Sequence, residues 1–121
     1  WLVRGRSEVL IRKRPPRGLL GGLMELPTTG WEEALPAAPE LERQAPLATR
    51  WRRLPGIVRH VFTHFELELT VLAGSVGETT EGPDGVNEGE THRWCRLDRL
   101  SDVALPTVMK KVVAHALANG G

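Results

Sequence analysis

The 121 residues include no tyrosine and few other aromatics, two Phe and four Trp. That scarcity argues against a platform for single-stranded nucleic acid, which stacks successive bases on aromatic rings. Cys95 is the one cysteine. A single thiol excludes a disulfide framework, an iron–sulfur cluster held by this chain and a cysteine-rich zinc site. It also makes a reducing compartment the natural setting. No apolar run approaches the roughly 20 residues of a membrane span, and no charged-then-apolar leader precedes the first strand-like run. An excess of one charge is missing too: 16 Lys/Arg face 15 Asp/Glu, a net of +1.

That balance hides an asymmetry. Residues 1–60 hold 11 Lys/Arg and 6 Asp/Glu, a net of +5, and residues 61–121 hold 5 and 9, a net of −4. A basic half suits contact with phosphates while an acidic half faces away. The length fits one domain, residues 1–121. The chain opens at Trp1, already in a strand-like pattern, so we expect a piece of a longer protein.

The chain is organised around residues 57–71, which hold both phenylalanines and two of the four histidines. Side chains alternate across a strand. Val58, His60, Phe62 and His64 therefore share one face of a first run, and Ile57, Arg59, Val61 and Thr63 the other. In the second run Phe65, Leu67, Leu69 and Val71 alternate with Glu66, Glu68 and Thr70, as in a strand buried on one side. The phase does not carry through Phe62-Thr63-His64-Phe65, which predicts a bend, bulge or tight loop. The residues alone leave that tip either as a reading head or as a sheet corner whose polar groups are satisfied locally, and they favour the corner.

Elsewhere, residues 1–4 and 9–12 predict an opening hairpin, followed by a basic, Pro-rich loop. Paired Gly21-Gly22 permit close backbone approach before a short buried strand at residues 23–26. Residues 28–39 are loop-like, with 31–35 open to a helical turn and 40–48 open to helix or loop. Strands follow at 51–54, 67–76 and 91–97, with an exposed loop at 77–89. Pro106 suits a first helical turn, after which Val108, Met109, Val112, Val113, Ala116 and Leu117 form a stripe at helical spacing. The order predicts a mixed sheet with packed helices, α+β or an α/β sandwich.

No catalytic constellation emerges. Glu32-Glu33 lacks a partner base. His60 and His64 are too far apart on a strand to share a metal. Ser7 and Ser75 have no His-and-acid context. Gly18-Leu19-Leu20-Gly21-Gly22 matches neither a P-loop nor a dinucleotide fingerprint.

Three blocks carry a family resemblance. Arg12-Lys13-Arg14-Pro15-Pro16-Arg17-Gly18-Leu19-Leu20-Gly21-Gly22-Leu23-Met24-Glu25-Leu26-Pro27 resembles the start of the C-terminal domain of MutY-type adenine DNA glycosylases. Arg59-His60-Val61-Phe62-Thr63-His64-Phe65 resembles that domain's Arg-His-x-Phe-Ser/Thr-His-Phe segment. Leu105-Pro106-Thr107-Val108-Met109-Lys110-Lys111-Val112 resembles its closing helix. The resemblance implies an α+β, Nudix-like mixed sheet packed between helices. Working Nudix hydrolases carry a Gly…Glu…Arg-Glu-x-x-Glu-Glu signature whose carboxylates hold divalent cations. Here no Arg-Glu pair occurs, and Ala-Leu-Pro after Glu32-Glu33 breaks a helix.

The resemblance thus implies a lesion-reading domain without a hydrolase site or metal. Its partners are double-stranded DNA carrying 8-oxoguanine opposite adenine and an N-terminal glycosylase domain outside this chain, where the catalytic acids and iron–sulfur cluster belong. It assigns Phe62, Thr63 and His64 to the lesion, with no catalytic residue in this chain. Arg59, His60, Arg12, Lys13, Arg14 and Arg17 become candidates for the DNA backbone. The implied setting is DNA in a bacterial cytoplasm, with no membrane. Two alternatives are an atypical Nudix hydrolase of oxidised nucleotides and a non-enzymatic protein-interaction module.

Overall fold

A computed structural model describes residues 1–83 and 92–121. Strands β1 (Leu2–Arg4) and β2 (Glu8–Lys13) form the expected hairpin, pairing Val3 with Val9 and Arg4 with Glu8. Gly5 and Arg6 both take positive φ, and Ser7 N–H donates to the Arg4 carbonyl, as in a type I′ turn. Strand β3 (Met24–Glu25) pairs with the end of β2. The loop before it closes because Gly21 lets the backbone approach: a Cβ there would lie 2.6 Å from the Pro16 carbonyl oxygen. Gly22 N–H donates to the Pro15 carbonyl at 3.0 Å.

After β3 comes helix α1 (Ala38–Gln44), which has Pro39 in its first turn, no side-chain cap and no buried residue. The helical turn open at residues 31–35 does not form. Strands β4 (Arg52–Arg53), β5 (Val58–Val61), β6 (Glu66–Leu69), β7 (Leu72–Val76) and β8 (His92–Arg96) follow. A 3₁₀ helix (Leu97–Asp102) leads to α2 (Thr107–Ala118). The main sheet runs β3-β2-β1-β7-β4, with β8 along the other edge of β2. The β1–β7 pairing is parallel and the other pairings are antiparallel, so the sheet is mixed.

The single strand expected over residues 67–76 is two. It breaks at Thr70-Val71, and its halves belong to different sheets: β7 joins the main sheet, while β6 pairs with β5 alone. The break gives Val71 a buried side chain and lets its carbonyl accept from Leu54 N–H at 2.9 Å. The loop expected at residues 77–89 extends beyond the described residues, as does Thr91 at the start of the strand expected there.

The core lies between the sheet and α2. Trp1, Val9, Ile11, Leu26, Leu54, Val58 and Leu67 meet Val108, Met109, Val112 and Ala116 there. Leu2 and Leu10, on the opposite face of their strands, are also fully buried. The predicted stripe of α2 holds through Ala116 and fails at Leu117, which is 56% exposed, because the helix turns that position away from the sheet. Cys95 is buried in β8, and loss of hydration pushes its thiol pKa up.

Truncating Met109, which is 2% exposed, to Ala is expected to destabilise the domain by about 2–5 kcal/mol in urea melts, through lost burial and a residual cavity. Leu117→Ala is expected to stay within about 0.5 kcal/mol of the parent.

Candidate nucleic-acid interface

The residues expected at a nucleic-acid interface fall on two elements: the basic end of β2 and the β5–β6 hairpin. At the first, Glu25 is 1% exposed and accepts from two guanidinium groups. Arg12 Nε reaches one carboxylate oxygen at 2.7 Å and Arg14 Nη1 the other at 2.7 Å. Arg12 also donates to the Thr28 carbonyl at 2.8 Å. Strand alternation puts Arg12 and Arg14 on one side of β2 and Lys13 on the other. Both guanidinium groups of the Arg12/Arg14 pair are thus taken up by protein acceptors. Lys13 and Arg17 are exposed and make no ion pair among the described residues.

The guanidinium of Arg14 lies over the Trp31 ring at 4.5 Å. The Trp31 and Phe62 centroids are 5.8 Å apart. Phe62 stacks on Phe65 at 4.8 Å and meets His60 edge-on at 4.7 Å. Few as the aromatics are, several converge here. His60, expected at the DNA backbone, packs its ring against Phe62, with a buried Nδ1 that has no hydrogen-bond partner among the described residues.

The hairpin register pairs Val58 with Leu69 and Val61 with Glu66. Phe62 N–H closes the turn onto the Phe65 carbonyl at 2.8 Å. The tight loop expected at Phe62–Phe65 is therefore a two-residue turn with Thr63 and His64 at its tip. Neither has positive φ, so the turn needs no glycine. Both are exposed. The Thr63 hydroxyl has no partner among the described residues, so it is free to donate and accept.

Arg59 and Val61 share the outer face of β5, with Thr63 beyond it at the turn, and Val61 is 71% exposed. Arg59 lies 3.4 Å from Glu68, and both are well exposed; such a pair is weak and easily displaced. Lys111 of α2 donates to the Arg59 carbonyl at 3.0 Å, placing a second cation beside that face. Sequence reasoning missed Lys111 and Trp31. Lys111 lies off the helix stripe, and Trp31 is a lone aromatic in a loop.

An open cleft of about 640 Å³ lies nearby, lined by residues including Leu26, Leu41, Ile57 and Leu69. Glu32, Glu33, Glu42, Glu66 and Glu68 also line it. Glu40 of α1 is engaged by Arg43 and Gln44. Among the described residues no three His, Cys, Asp or Glu stand close enough to hold a metal. No described helix is long and apolar enough to cross a membrane.

Comparison with known proteins agrees with this architecture. A model of the NUDIX domain matches residues 1–115. Human adenine DNA glycosylase is 34% identical over 116 residues, covering 88% of this chain and 20% of the relative. The rat adenine DNA glycosylase is 32% identical over 118 residues, covering 89% and 22%. The chain thus spans about a fifth of the length of these curated relatives. The C-terminal domain of mouse MUTYH, solved in complex with human PCNA, superposes with a TM-score of 0.68 at 25% identity, covering 97% of this chain and 83% of that one. A Nudix hydrolase from M. smegmatis, RenU, has a TM-score of 0.53 at 16% identity with the same coverages, which shows the fold alone.

Glu25→Gln, which keeps the volume and removes the charge, is expected to cost about 3–5 kcal/mol in urea unfolding, since the amide oxygen accepts from one guanidinium only and its NH2 faces the other donor.

Proposed function

The chain belongs to the NUDIX domain family, and from that premise we propose that it is the lesion-reading domain of an adenine DNA glycosylase, contacting 8-oxoguanine paired with adenine. The excision itself is assigned to an N-terminal domain outside this chain, working on DNA in a reducing bacterial cytoplasm. The observation that carries the reading is the exposed Thr63 at the turn, with its hydroxyl unengaged.

Guanine presents N7 as an acceptor in the major groove. Oxidation makes N7 a donor and adds a carbonyl at C8. A reader therefore needs an acceptor for the new N–H and a donor for the new oxygen. The Thr63 hydroxyl serves either need, and backbone N–H groups at the tip supply donors. His64, exposed beside it, orients the tip or meets a phosphate, and Phe62 stacks near the base. Arg59 and Lys111 fit phosphate contact on the same face, and Lys13 and Arg17 add further unpaired charge. Such contacts hold register and make binding salt-dependent without reading sequence.

The cleft supports this reading over nucleotide hydrolysis. Glu32, Glu33, Glu42, Glu66 and Glu68 outnumber Arg53 in its lining, so its field opposes a polyphosphate. A protein partner is the second reading, favoured by the mouse MUTYH C-terminal domain having been solved with PCNA.

In the full-length protein, Thr63→Ala is expected to reduce the preference for 8-oxoguanine·adenine over guanine·adenine duplexes by roughly two- to tenfold, the worth of one lost hydrogen bond. Unchanged preference would remove Thr63 from the lesion. Lys111→Ala is expected to weaken both duplexes alike and to flatten the log K against log salt slope by about 1. Magnesium-dependent phosphate release from 8-oxo-dGTP by this domain would overturn the reading in favour of a hydrolase.

A further inference from the structure

We propose that Trp31 is a positioning residue for the hairpin tip, the link through which the main sheet sets where Thr63 and His64 stand. The inference rests on the reading of that tip as the lesion contact.

The β5–β6 pair is a separate two-stranded sheet, sharing no strand pairing with the main sheet. A hairpin so attached is located by packing and side-chain contacts rather than by a ladder. On its inner side Val58 and Leu67 enter the core, which fixes the base of the hairpin. The tip lies further out, where Phe62 packs against the edge of the core and contacts Trp31.

Trp31 sits in a segment without helix or strand, where its backbone has little to hold it. Its ring is held by side chains. Arg14 lies over it at 4.5 Å, and Arg14 is itself fixed by the Glu25 carboxylate at 2.7 Å. Glu25 belongs to β3 and is nearly inaccessible. The sequence of contacts therefore runs from the edge of the main sheet through Glu25, Arg14 and Trp31 to Phe62. Phe62 is also the residue whose N–H closes the turn and whose ring stacks on Phe65. A displacement of Trp31 thus reaches the turn through one aromatic pair. The half-buried indole satisfies none of its hydrogen-bonding potential, since its Nε1 is buried without a partner. Its contribution here is therefore its ring surface rather than its polar atom.

A positioning role separates lesion preference from general affinity. For the full-length protein, Trp31→Ala is expected to lower the ratio of affinities for 8-oxoguanine·adenine over guanine·adenine duplexes by about two- to tenfold, the range of one aromatic pair. Affinity for guanine·adenine is expected to hold within about twofold, because the phosphate contacts lie elsewhere. Trp31→Phe, which keeps a stacking ring, is expected to retain most of the ratio. In amide-resolved NMR spectra the Thr63 and His64 signals are expected to move in Trp31→Ala and to stay near their parent positions in Trp31→Phe. Parent protein that prefers the lesion and a Trp31→Ala variant that prefers it equally would defeat this inference and leave the tip assignment standing. Equal weakening toward both duplexes would also defeat it, by making Trp31 a general fold residue. A parent protein with no lesion preference would instead defeat the reading of the tip itself.

Discussion

The buried carboxylate of Glu25 constrains everything around it. A 1% exposed Glu cannot stay charged in an apolar setting without partners, because the lost hydration of an isolated ion is far larger than the stability of a domain. Arg12 and Arg14 meet that demand together, each at 2.7 Å. Buried ion pairs are weak evidence of net stability, since desolvation offsets their attraction, yet breaking one is costly. Their effect here is on specificity of arrangement. β3 has two residues, too few to hold its own register by ladder bonds alone. Glu25 ties it to β2 at Arg12, its direct partner across the strands, and at Arg14 beyond the end of β2. With both ends held, the intervening loop at residues 15–22 must close tightly, and the Gly21 approach to Pro16 follows.

The same ion triad divides the basic surface by role. The run Arg12-Lys13-Arg14-Pro15-Pro16-Arg17 reads in sequence as one cluster suited to phosphates. In the fold its alternate members face different tasks. Arg12 and Arg14 neutralise Glu25, while Lys13 and Arg17 keep their charge for solvent or a ligand. Similar sorting occurs at the other end of β2. Arg4 is held by Glu8 in a two-point contact and stacks over Trp94 at 4.6 Å, and that pairing holds the Glu8 carboxyl below its ordinary pKa. Lys111, by contrast, adds a charge beside Arg59 that no linear cluster announces. Net charge by segment therefore locates a basic region, and only the pairing pattern says which cations are available.

What the sequence shows follows from the range of the interactions involved. Local periodicity exposes the first hairpin, the phase break at Phe62–Phe65 and the α2 stripe through Ala116, because neighbours in the chain set each of these. The stripe's overreach to Leu117, which the helix turns away from the sheet, shows that periodicity does not encode how wide a face the sheet covers. Residues 67–76 read as one strand because apolar positions continue across Thr70-Val71. The break reflects competition between two sheets, a tertiary effect. Glu25 looks like an ordinary polar position in a strand, and nothing local reveals that two arginines 13 and 11 residues away will bury it. Trp31 has the same difficulty: its partners are Arg14 and Phe62, each distant in sequence. The ambiguity of α1 was also physical, since a helix with no cap and no buried residue owes little to its own sequence.

The reading of this domain as a lesion reader rather than a hydrolase draws on the same contacts. A catalytic Nudix helix directs several carboxylates toward one metal-bound diphosphate. In α1 the one acidic residue of the first turn, Glu40, is turned onto its own helix by Arg43 and Gln44. The buried carboxylate that the fold retains at the end of the glycine-rich block, Glu25, is neutralised by arginines rather than left to recruit a cation. Charge that could organise a metal is spent on holding Arg14, and Arg14 in turn supports Trp31. On the proposed reading, the buried carboxylate at this strand end is the anchor from which an aromatic contact reaches the hairpin tip.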